Sequence, residues 1–210
     1  MVKAIIFDFW GTLADHGIKS PLREAQWILF QSRMEFPEFV NKFETAFMTR
    51  KFETLEEGFK AACEAFEREP GFRAMNDFIG MWNKNWMLAK LYEDTLEMLE
   101  TLKSKGIKIA LISNTDCFSV EKILDKFELR KYFDVVALSC ERGQLKSEMF
   151  PQVLEELGVS AEEALMVGDS PETDIEPAKK AGAQAVLIDR RDKRPYENKI
   201  LKLAELEKFL

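Results

Sequence analysis

The chain has 210 residues, of which 46% are hydrophobic and 32% charged, and a net charge of −7. That length fits one large domain or a domain with a substantial insertion, able to bury a core without disulfide or metal staples. The acidic balance argues against a general nucleic-acid or anionic-membrane partner, because both recruit clustered Lys and Arg.

In chain order, Val2–Phe7 is a short β-branched run that ends at Asp8 and meets Gly11-Thr12, which predicts a buried strand and a turn. From Pro21 to Leu88 the pattern is helical, with breaks expected near Pro37, Thr54, Pro70-Gly71 and Gly80. Phe39, Phe43 and Phe47 recur every four residues, and Phe52, Phe59 and Phe66 every seven. Both spacings predict an apolar helix face in a small bundle. Beyond residue 89, strands are predicted at Ile107–Ile112, Asp134–Leu138, Ala164–Val167 and Ala185–Ile188. Helices are predicted at 93–105, from 116 to Glu128, and at Glu148–Leu157, Glu172–Ala181 and 198–209. Such alternation indicates βαβ units and a parallel sheet. Arg190-Arg191-Asp192-Lys193-Arg194 reads as a solvated loop of mixed charge, and His16 as a loop residue.

The expected fold is therefore α/β. A Rossmann-like parallel sheet with helices on both faces occupies 1–15 and 89–210, and an all-helical insertion occupies 16–88. Three widely spaced cysteines (Cys63, Cys117 and Cys140) with no Cys-x-x-Cys argue against a zinc ribbon or disulfide framework. No stretch approaches the ~18 apolar residues of a membrane span. A cytoplasmic location and a monomer or homodimer are expected.

Ligands of open parallel sheets sit beyond the carboxyl ends of the strands. Asp8, Ser113-Asn114, Lys146 and Asp169 with Asp174 all fall there. Three carboxylates gathered in one place repel unless a cation lies between them, and hard oxygen donors favour Mg²⁺. The set suits phosphoryl transfer, in which a carboxylate nucleophile must approach an anionic phosphate.

Ile6-Phe7-Asp8-Phe9-Trp10-Gly11-Thr12-Leu13 resembles the first motif of the haloacid dehalogenase-like hydrolase superfamily. Ser113-Asn114-Thr115 resembles the second, Lys146 in Gly143–Lys146 the third, and Val167-Gly168-Asp169-Ser170-Pro171-Glu172-Thr173-Asp174 the fourth. The insertion is similar to the family's helical cap of the first type. The resemblance implies that Asp8 is the nucleophile. Ser113 would bind the transferring group and Lys146 would stabilise its charge. Mg²⁺ would be held by Asp8, Asp169, Asp174 and the carbonyl of Trp10. Trp10, Thr12 and Asn114 would face a small-molecule substrate.

The chain departs from the phosphatase pattern at one place. Phosphatases of the family carry an Asp acid/base two residues after the nucleophile, where this chain has Trp10. An indole N–H donates a hydrogen bond but cannot shuttle protons. Trp10 and Asn114 resemble the 2-haloacid dehalogenase branch, whereas the intact Asp169 resembles the metal-dependent phosphatases. The leading expectation is an Mg²⁺-dependent phosphatase acting on a small phosphorylated metabolite. A dehalogenase comes second and a non-catalytic ligand binder third.

Overall fold

A computed structural model describes all residues, 1–210. The first strand, β1 (Ala4–Phe7), is followed by the two-residue β2 (Ala14–Asp15). Four helices come next: α1 (Pro21–Ile28), α2 (Phe36–Met48), α3 (Leu55–Ala65) and α4 (Phe72–Leu88). The chain returns through β3 (Lys90–Leu91) to α5 (Thr95–Ser104), β4 (Lys108–Ser113), α6 (Val120–Lys126) and β5 (Val135–Leu138). It continues with α7 (Ser139–Arg142), α8 (Lys146–Leu157), β6 (Ala164–Gly168), α9 (Glu176–Lys180), β7 (Gln184–Ile188) and β8 (Lys199–Ile200).

Six strands form one parallel sheet in the order β5-β4-β1-β6-β7-β8. Neither face of its centre meets water, which explains why β1 and β6 are continuous apolar runs. Ile5 and Phe7 point into one core with Leu99 and Leu102 of α5 and Ile123 of α6. Ala4 and Ile6 point into the other, with Phe150 and Val153 of α8. Because β4 and β6 flank β1 on opposite sides, the strand order reverses at β1. Asp8 therefore leaves the sheet at its crevice.

The insert has its own core. Phe43 and Phe47 of α2 and Phe78 and Trp82 of α4 pack with ring centroids 5.1–6.2 Å apart. The connections into and out of it lie side by side as an antiparallel ribbon that pairs Ala14 with Leu91 and Asp15 with Lys90.

Four expectations need correction. Helix α4 runs through Gly80 without a break, since an exposed glycine weakens a helix by only about 1 kcal/mol. Phe52 is not on a helix with Phe59, because Thr54 caps α3 by accepting the Glu57 N–H at 3.2 Å, leaving Phe52 in the preceding loop. The helix foreseen at 198–209 begins instead as β8, which adds Ile200 to the edge of the sheet, and ends as a 3₁₀ turn over Leu203–Phe209. The helix foreseen at 172–181 opens with a wide π turn over Pro171–Ile175, a form frequent at functional sites. No helix is long and apolar enough to cross a membrane, and all three cysteines are free.

Candidate active site

The carboxyl ends of β1, β4 and β6 and the start of α8 bring Asp8, Ser113, Lys146, Asp169 and Asp174 into one crevice. Asp8 is buried and both its oxygens are held. Oδ1 accepts from Lys146 Nζ at 2.6 Å, and Oδ2 accepts from Thr12 Oγ1 at 3.2 Å. Lys146 Nζ also donates to Asp174 Oδ1 at 2.5 Å, and Asp174 Oδ2 accepts from the Ser170 N–H at 3.0 Å. The π turn puts Asp174 under the crevice, with its side chain fully covered. Asp169 is the most open of the acids, and Arg194 lies 3.8 Å from it.

Two glycines make the close approach possible. Gly11 has φ +78°, and a Cβ there would sit 2.6 Å from Asp169 Oδ2. A Cβ on Gly168 would lie 2.3 Å from Asp174 Oδ2. Only residues without a side chain let the backbone pass these carboxylates.

The electrostatics follow from this crowding. Burial works to strip the proton from Lys146, but the carboxylates of Asp174 and Asp8 outweigh it and hold the ammonium above the ordinary lysine range. Burial, together with the charges of Asp8 and Asp174, pushes Asp169 up to about 7. Burial pushes Asp174 up to about 6 despite the opposing pull of Lys146. One ammonium does not balance three acids. Asp8, Asp169 and Asp174 each offer a carboxylate oxygen within 4.8 Å of the others. This hard, anionic donor set fits a divalent cation such as Mg²⁺.

Ser113, the last residue of β4, is buried and its Oγ has no protein partner. A sealed hydroxyl left unpaired is costly, and this one remains free to donate to a ligand oxygen. Thr12 is expected from the sequence to face substrate. It is fully buried, gives its hydroxyl to Asp8, and its carbonyl accepts from Arg190 Nη2 at 2.6 Å. Asn114 has protein partners at both ends of its amide: Oδ1 accepts the Lys146 N–H at 2.7 Å, and Nδ2 donates to Glu44 Oε2 at 2.7 Å. The Trp10 indole stacks on His16, with centroids 4.6 Å apart and planes 8° from parallel, and meets Phe9 edge-on. His16 is no free loop residue. Burial lowers it to about 4, so it is neutral at pH 7, and it contacts Asn85 Nδ2 of α4 at 3.4 Å.

Sequence reasoning missed two participants. Glu44 reaches the site from α2, and burial pushes its carboxyl up to about 7 against the pull of Lys146. Its only sequence signal is an acid placed next to the Phe39/Phe43/Phe47 stripe. Arg190, read as solvated, faces inward and grips Asp94 at 2.8 Å, whereas Arg194 is exposed, as read, with a guanidinium nitrogen 3.8 Å from Asp169. Neighbours so distant in sequence leave no local pattern.

Residues 2–182 match the family of haloacid dehalogenase-like hydrolases. The chain is 31% identical over 195 residues to a phosphoglycolate phosphatase of Aquifex aeolicus, covering 89% of this chain and 84% of that protein. It is also 31% identical over 205 residues to a ribulose-1,5-bisphosphate 5-phosphatase of Halopiger xanaduensis, covering 90% and 85%. A solved HAD phosphatase from Thermococcus onnurineus superposes with a TM-score of 0.64 at 25% identity, over 99% of this chain and 97% of the other. With the fold, the four motifs and these likenesses in agreement, the chain belongs to the haloacid dehalogenase-like hydrolases and is a hydrolytic enzyme.

Proposed function

We propose that the enzyme is an Mg²⁺-dependent phosphatase that hydrolyses a small phosphorylated metabolite, with Asp8 as its nucleophile. The observation that carries this reading is the carboxylate triad of Asp8, Asp169 and Asp174 around Lys146. Phosphatase activity is also what the names of the two 31%-identical relatives describe.

Asp8, Asp169 and Asp174 would hold the ion, with the Trp10 carbonyl as a further oxygen donor. When bound, Mg²⁺ would offset the charge that phosphate brings against these acids. The chain's own residues supply the rest. Thr12 and Lys146 fix the Asp8 carboxylate, so attack on phosphorus needs no reorientation. The new O–P bond forms as the ester P–O bond breaks, leaving a phosphorylated Asp8. Water then cleaves this intermediate, releasing inorganic phosphate and restoring the carboxylate. Lys146 and the free Ser113 hydroxyl stabilise the negative oxygens throughout. Trp10 cannot protonate the departing oxygen, so stable leaving groups are turned over fastest. Asp8, Ser113, Lys146 and Asp174 are nearly covered, whereas Asp169 keeps a partly exposed side chain.

The dehalogenase reading, suggested by Trp10, requires Asn114 to hold a departing halide. That amide already faces the Glu44 carboxyl group, a poor neighbour for an anion. The test is phosphate release from p-nitrophenyl phosphate with Mg²⁺, expected to vanish with EDTA and with Asp8→Asn. Halide release from 2-chloropropionate in EDTA would overturn the reading.

A further inference from the structure

Of the side chains on the four insert helices, Glu44 is the ionisable one hydrogen-bonded to a residue at the strand ends. On α2, Asn41, Lys42 and Thr45 are exposed, while Phe43, Glu44, Phe47 and Met48 are buried. Glu44 therefore lies on the inward face of its helix. Its Oε2 is held by Asn114 Nδ2, and Asn114 is itself fixed by the Lys146 N–H. Oε1 takes no hydrogen bond from the protein. Nor is it one of the sealed and unpartnered side-chain atoms, which are Asn85 Oδ1, Ser113 Oγ and Arg190 Nε. A carboxyl group positioned this firmly, with one oxygen open and no ammonium or guanidinium bonded to it, suits an incoming donor. The basic residues nearest it on and just past α2 turn elsewhere: Lys42 lies over the Phe66 ring and Arg50 over the Phe52 ring.

We propose that Glu44 is the residue by which the insert selects substrate. Oε1 accepts a hydrogen bond from a hydroxyl or ammonium group on the alcohol portion of the phosphomonoester. A carboxylate at that place meets Glu44, while the ammonium nearby, Lys146, is already bonded to Asp8 and Asp174. The preferred class is thus polyol or amino-alcohol phosphates over phosphorylated hydroxy acids. This inference rests on the phosphatase reading above and adds the discriminating residue to it.

The test is steady-state hydrolysis of glycerol 1-phosphate, ethanolamine phosphate and phosphoglycolate, with Mg²⁺, by the full-length wild type, Glu44→Gln and Glu44→Lys. The wild type is expected to favour the first two over phosphoglycolate by at least about tenfold in kcat/KM. Glu44→Gln keeps an acceptor for Asn114 and is expected to narrow that ratio by about ten- to a hundredfold, the range of one charge-assisted hydrogen bond, chiefly through KM. Glu44→Lys is expected to invert it. A purely structural Glu44 would lower all three rates together and leave the ratio alone. A wild-type preference for phosphoglycolate, or a ratio within twofold of wild type in both variants, would overturn the assignment. Should the variants not fold, the wild-type preference decides alone. If the wild type hydrolyses p-nitrophenyl phosphate yet the ratio stays put, only the Glu44 assignment falls. If it hydrolyses no phosphate ester, both readings fall.

Discussion

Lys146 Nζ lies 2.6 Å from Asp8 Oδ1, across a sequence separation of 138 residues, and both side chains are buried. The ammonium is the compensating charge for two acids at once, since it also meets Asp174. Lys146→Met is expected to abolish turnover and to destabilise the protein by about 3–5 kcal/mol, the usual result of leaving buried charge uncompensated. Chemical denaturation without added metal measures the second effect.

Gly168 and Asp174 are in near contact, and a methyl group on Gly168 would need to occupy the space of a carboxylate oxygen. Gly168→Ala is expected to cost about 1–3 kcal/mol through overpacking. It is also expected to weaken Mg²⁺ binding, because the displaced group is Asp174. Isothermal titration of variant and wild type with Mg²⁺ reads this directly.

Binding a cation only to the folded state raises the melting temperature by mass action. Mg²⁺ is expected to raise it in the wild type and to do so far less in Asp169→Asn, which removes one charge from the triad. Equal shifts in the two proteins would place the ion elsewhere.

Glu44 titrates at about 7 when folded, against an ordinary value of 4.5. Between those values the folded protein keeps a proton that the unfolded chain has released, so stability falls as pH rises through this window. At pH 8 the full penalty is about 3 kcal/mol. Glu44→Gln does not titrate, and its melting temperature is expected to drop less than that of the wild type between pH 5 and pH 8.

Trp10 stands where the family's phosphatases carry their acid/base, and it lies against His16. Trp10→Asp is expected to raise kcat for alkyl phosphates by at least about tenfold, a part of the 10²–10⁴ that general acid catalysis supplies. Aryl phosphates need no such proton and are expected to gain little. Parallel assays on the two ester classes, with circular dichroism to establish folding, check this.

The alternation of apolar strands with helices, and the position of Asp8, Ser113, Lys146 and Asp169 after those strands, were legible because both are local. A short run such as Ala4–Phe7, rich in isoleucine and closed by an acid and a glycine, favours a buried strand, and the residue that ends it is then at the sheet's rim. The parallel sheet predicted from this pattern is the one found, and membership of the hydrolase family was readable from four short motifs. The sequence could not show that Thr12 turns to Asp8, that His16 lies under Trp10, or that the π turn carries Asp174 inward. It was equally silent on Glu44 meeting Asn114, 70 residues away. The first two join residues four and six apart in a turn that follows no helical or strand period, and the Glu44 contact exists only where the insert packs against the sheet ends. Composition and pattern determine which groups reach the crevice. Burial, which sets their charge and their partners, was decided by the packed tertiary structure.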